Sequence, residues 1–139
     1  MKTGRLFAAA SVALALVLTL GCGNNGDGET SSDQALISDG RQVLRDIVAG
    51  RFTELSERFN EGFKAAVPPD QLEQGWKDFV ELKGAFRSQG EADAAELGDL
   101  TVVDIELDME KAPGLFRVQF DIDGKIAAIY VLDEDIPVG

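Results

Sequence analysis

The chain predicts an α+β fold, three N-terminal helices packed on a four-stranded antiparallel meander. Two observations carry that expectation. The apolar period switches from about four to two near Ala85. Beyond that point Gly98-Asp99, Ala112-Pro113-Gly114 and Asp123-Gly124 break the alternating runs at hairpin spacing.

Before the folded part comes a leader. Met1-Lys2-Thr3-Gly4-Arg5 is a short basic head, Leu6 to Leu20 carries no charge, and Gly21-Cys22 closes the run. An apolar core of about 15 residues suits a secretory signal and is too short for a stable span. The segment resembles a bacterial lipoprotein signal, in which the cysteine thiol is acylated and becomes the first mature residue. Thr19 stands where that pattern usually has leucine, with Leu18 and Leu20 beside it. The alternative is a secreted protein cleaved near Gly21 with a free thiol, and a lone cysteine is a liability in an oxidising compartment. Residues 1–21 are therefore expected as signal peptide and Cys22 as the lipidation site. Residues 22–32 follow as a polar tether reaching on the order of 17 Å. The expected location is extracytoplasmic, on the cell membrane, through the lipid at Cys22.

One domain, 33–139, remains. In it Leu36, Ile37, Val43, Leu44, Ile47 and Val48 recur at helical spacing, and Gly50 is placed to end the first helix. Phe52, Leu55, Phe59 and Phe63 give a second helix ending at Pro68-Pro69. Asp70 opens a third, in which Leu72, Trp76, Phe79 and Val80 share a face up to Gly84. An aromatic stripe of this kind reads as core packing before it reads as a ligand box.

Four strands follow at roughly 85–97, 100–110, 115–122 and 125–132. A two-residue loop at Asp123-Gly124 sets Ile122 opposite Lys125, Phe120 opposite Ala127 and Val118 opposite Ile129. Phe116, Val118, Phe120 and Ile122 then share the core face with Val103, Ile105, Leu107 and Met109. The other face carries an acidic row, Glu91, Asp93, Asp104, Glu106 and Asp108. Next to it stands an apolar strip, Ile126, Ala128, Tyr130 and Leu132, beside Arg117 and Gln119. That strip is the expected interaction surface, for a second copy or another envelope protein.

Charge excludes some functions. The chain has 13 basic and 25 acidic side chains; without Lys2 and Arg5 the balance is 11 − 25 = −14. Residues 91–139 alone hold 3 basic and 13 acidic groups. Such a chain is not expected to bind nucleic acid. With no histidine, the usual neutral-pH proton shuttle is missing too. The acidic row is a weak cation candidate without the loop spacing of a calcium site, and no metal or cofactor is implied.

Phe63-Lys64-Ala65-Ala66-Val67-Pro68-Pro69, Gln71-Leu72, Trp76, Gly84-Ala85-Phe86 and Val118 to Ala127 (VQFDIDGKIA) resemble an uncharacterised bacterial domain of secreted and lipid-anchored proteins. That domain sometimes precedes an α/β-hydrolase domain, but no nucleophile elbow occurs here. The resemblance implies the cone-shaped fold of the nuclear-transport-factor-2-like and cystatin-like proteins, and it carries over no functional residues. A non-catalytic binding or interaction module is the expected function. The alternatives are a small-molecule-binding or enzymatic cone domain and a cation-binding acidic envelope protein. An enzyme is disfavoured because the carboxylates and Tyr130 fall on the outer face, where burial does not tune them.

Overall fold

The computed structural model describes residues 27–133. The chain divides after Gln34, and the described part before that point is the helical stretch 27–34. Four helices precede four strands: α1 (Asp27–Val48), α2 (Phe52–Ser56), α3 (Glu61–Ala66), α4 (Pro69–Lys83), then β1 (Phe86–Leu97), β2 (Leu100–Met109), β3 (Gly114–Phe120) and β4 (Ile126–Leu132). The sheet is an antiparallel meander in sequence order. No helix among the described residues is long and apolar enough to cross a membrane.

The core lies between the helices and one sheet face. Val43, Leu44 and Ile47 of α1, with Phe52, Leu55, Phe59 and Phe79, pack on Val103, Ile105, Leu107, Phe116, Val118 and Phe120. α1 crosses the sheet closely. A Cβ on Gly40 would stand 2.9 Å from Val103 Cγ1 and 3.3 Å from Val118 Cγ1, so only glycine fits the approach.

Four sequence expectations need correction. α1 starts at Asp27, inside the stretch assigned to the tether. The second expected helix is two short ones, because Phe59 leaves the helix and bridges in parallel to Ile126. There the Arg58 carbonyl accepts from Ile126 N (2.9 Å), and Asn60 N donates to the Ile126 carbonyl (2.8 Å). Asn60 then caps α3, its Oδ1 accepting from Phe63 N at 2.9 Å. The apolar spacing survives the break, since Phe59 and Phe63 still touch with ring centroids 4.4 Å apart.

The third correction is the register of the last hairpin. Asp121 N bonds the Lys125 carbonyl and Gly124 N bonds the Asp121 carbonyl, so the loop is three residues, Ile122-Asp123-Gly124. Gly124 sits at φ +79°, as a left-handed position closing such a loop requires. The Asp121 carboxylate selects this turn by accepting from Asp123 N and Lys125 N, both at 2.9 Å. Ile122 is thereby left 84% exposed in the loop, and Ile126 pairs with Phe120 and is fully buried. A bulge at Ala127 restores the expected pair Val118↔Ile129, with Phe116↔Val131 following in register. Ile126 belongs to the core, not to the outer strip.

The last is in β1, where a shift between Gln89 and Ala92 takes Glu91 out of the expected acidic row. Arg41 holds this irregularity: Nη1 donates to Gln89 Oε1 (2.9 Å) and Nη2 to the Gly90 carbonyl (3.0 Å). Gln89 thus turns to α1 rather than to the acidic row. Asp93 and Asp104 of the acidic row do pair across β1 and β2.

Candidate functional site

Between α4 and the inner side of β4 lies a cleft of about 180 Å³, far more than the ~10–15 Å³ one water needs. Its walls follow from the local sequence. The turn into α4 is set by Pro68 and Pro69, extended then helical, which suits proline at a helix start. That turn brings Phe63 and Val67 to one side, and Leu72 and Trp76, one helical turn apart, to the other. Ile129 and Val131 line the sheet side and Ile47 is contributed by α1. Trp76 is positioned by ring contacts to Phe79 (5.8 Å) and Phe86 (6.3 Å). Gln71 supplies an amide to an otherwise apolar lining.

Gly75 stands at this cleft in the middle of α4. Glycine within a helix costs about 0.5–1 kcal/mol relative to alanine. Here a Cβ would meet nothing within 4 Å, so no packing demand explains it. What the missing side chain provides is space. Sequence reasoning treated Phe63, Leu72 and Trp76 as core, and they do border it; the isolated glycine between Leu72 and Trp76 was the signal for an opening.

The outer sheet face differs from the expected exposed strip. Ile126 is gone from it, while Ala128 and Leu132 are half-buried and Tyr130 is 46% exposed. Arg117 is buried, its Nε 2.7 Å from Asp104 Oδ1 and its Nη2 2.8 Å from Oδ2. Bonding to Asp104 raises the Arg117 pKa against the opposing effect of burial. Asp93, Asp104, Arg117 and Tyr130 form one row of strand partners across the sheet, with Gln119 beside Ala128 in the next. Val102 and Leu115 are buried on this face as well.

The acidic residues do not converge. Glu91 lies in the β1 irregularity, Asp104 is committed to Arg117, and Glu106 and Asp108 are exposed. Among the described residues no three Asp, Glu, His or Cys side chains are grouped to hold a metal ion. A depression of about 360 Å³ lies beside Glu106, Asp108 and Pro113, and its only charged lining residues are those two acids. Cys22 lies outside the described residues.

Residues 41–129 match a family of proteins of unknown function, DUF3887. The chain belongs to that family. The match runs from Arg41 on α1 to Ile129 of the cleft and takes in α3, α4 and the end of α1 that supplies Ile47. Curated proteins yield no match. Among solved structures, an NMR structure of a protein from Ruminococcus gnavus ATCC 29149 is similar, with a TM-score of 0.55 at 10% identity, covering 70% of this chain and 88% of that one. The likeness is one of fold. Among the described residues of this DUF3887 domain, the cleft and the Arg117 row are places where side chains are arranged beyond the needs of a core.

Proposed function

We propose that this DUF3887 protein is a lipid-anchored binding module of the bacterial cell envelope that holds an apolar group in the cleft between α4 and β4. The observation that carries the reading is Gly75: a helix position left without a side chain where one would fit. Apolar walls with one polar group are the usual make-up of a small-ligand site. The leader ending in Cys22 supports the extracytoplasmic location, and the cone-shaped fold that the resemblance implies suits such a cleft. Binding rather than catalysis fits a chain with no histidine and a cleft whose lining residues include no carboxylate.

Trp76 is the sole tryptophan and lies in the cleft, so its emission reports on occupancy. Titrating the protein with decanoate should shift that emission saturably, and Gly75→Leu should abolish the response while circular dichroism stays unchanged. Emission that does not respond to any apolar probe overturns the cleft reading. Acylation of Cys22 is tested separately: Cys22→Ala should release the protein from the membrane fraction.

A second reading concerns the outer face. Tyr130, half-exposed beside the buried Arg117–Asp104 pair, favours a contact with a second copy or another envelope protein. Tyr130→Asp should then weaken association in sedimentation without loss of fold.

A further inference from the structure

We infer that the ligand of the cleft is an extended peptide segment, which adds a strand to the open edge of β4 and drops one apolar side chain against Trp76. This rests on the cleft reading above and goes further by naming the ligand's class. Its basis is the main chain of β4. Asp121 N turns toward β4 to meet the Lys125 carbonyl. Bonding groups alternate along an antiparallel strand, so Gln119 and Arg117 also turn toward β4, and their partners Ala128 and Tyr130 turn toward β3. Ile129 and Val131 are left with their N–H and C=O groups on the open side. Among the described residues neither makes a hydrogen bond there.

That open edge already accepts a strand at one end. Ile126 turns both its main-chain groups outward and bonds to Arg58 and Asn60, a one-residue parallel bridge. At the other end Lys83 Nζ grips Asp133 at 2.6 Å. Between these closures the edge offers room for about five residues, roughly 17 Å of extended chain.

The two sheet edges are treated differently. β1 carries Arg87, Glu91, Asp93 and Glu96 and two register irregularities, the devices that keep an edge from pairing. β4 reads Ile-Ala-Ala-Ile-Tyr-Val-Leu, with no charge and no proline. Alternation then links the two features. Ile129 and Val131, whose main-chain groups are open, are also the residues whose side chains line the cleft. A strand added at that edge directs alternate side chains to the same face, over the space that Gly75 leaves. An acyl chain would fill the cleft and leave those main-chain groups unused.

The test uses three probes on the full-length protein: capped pentapeptides alternating threonine with leucine, isoleucine or phenylalanine; the same peptides N-methylated at alternate residues; and decanoate. Binding is followed by Trp76 emission and by amide hydrogen exchange at Ile129 and Val131. The expected result is saturable peptide binding, exchange at both amides slowed by at least about tenfold, loss of binding on N-methylation, and loss of binding in Gly75→Leu. Decanoate binding without peptide binding overturns the peptide inference and leaves the cleft reading standing. Peptide binding that N-methylation does not weaken, or that leaves the two amides unprotected, also overturns it. If no probe binds, both fall.

Discussion

Asp104 and Arg117 are directly opposed on β2 and β3, and two arms of the guanidinium meet both carboxylate oxygens at 2.7 and 2.8 Å. On the other side Asp104 faces Asp93. Taken alone, that like-charge neighbour would make Asp104 dispensable. The structure reverses that balance, because the buried arginine depends on the carboxylate for a bidentate, charge-assisted contact. Asp104→Ala should therefore destabilise the domain by about 1–3 kcal/mol, read as a lower urea midpoint. An unchanged midpoint would show that the pair contributes nothing.

The hairpin loop makes a pH prediction. Asp121 has its pKa held below the ordinary 3.8, chiefly by the Lys125 N–H and further by Asn60 and Asp123. A carboxylate with a depressed folded-state pKa adds stability above its unfolded pKa and loses it as pH falls through the folded one. Asp121→Asn keeps a side-chain acceptor but removes the charge. The gap in urea midpoint between the two proteins should be constant from pH 7 to about 5 and should narrow below about pH 4. A gap that does not change down to pH 2 contradicts the assignment.

Ile122 and Ile126, four residues apart, should behave oppositely. Ile126→Ala should cost about 2–5 kcal/mol, as truncation of a buried isoleucine does. Ile122→Ser should stay within about ±0.5 kcal/mol. Thermal or urea melts of the two variants check the three-residue loop directly, because a two-residue loop would exchange their roles.

Two glycines on helices should also diverge. Gly40→Ala forces a Cβ against Val103 and should destabilise by about 1–3 kcal/mol. Gly75→Ala meets no atom within 4 Å and should stabilise by about 0.4–1 kcal/mol. Equal effects at both positions would mean that α1 does not approach the sheet as closely as described.

The meander and the core face of its two middle strands were legible in the sequence because alternation and helical spacing are dictated by burial, which repeats along the chain. Thr101–Met109 and Phe116–Val118 fell where their period puts them. Asp121 was not legible. Asp123-Gly124 signals a turn but does not say whether its loop has two residues or three, and that choice was made by a side chain two residues upstream. The break at Phe59 was hidden for a similar reason, since its pairing partner lies 67 residues away in Ile126. The cleft was least visible of all. Its walls are apolar like the core they adjoin, and the opening is marked by a residue that contributes no side chain.

The bulge at Ala127 bears on insertions and deletions. Removing one residue from a strand normally sends every later side chain to the wrong face. Here Phe120 pairs with Ile126 and Gln119 with Ala128, so Ala127 is the one residue of β4 without a partner opposite. A gene variant lacking that codon would join Ile126 straight to Ala128 and leave every pair in place, with Ile129 and Val131 still facing inward. Loss of the codon for Ile129, two places further on, has no such escape. Length variation in β4 should therefore be tolerated at the bulge and nowhere beyond it.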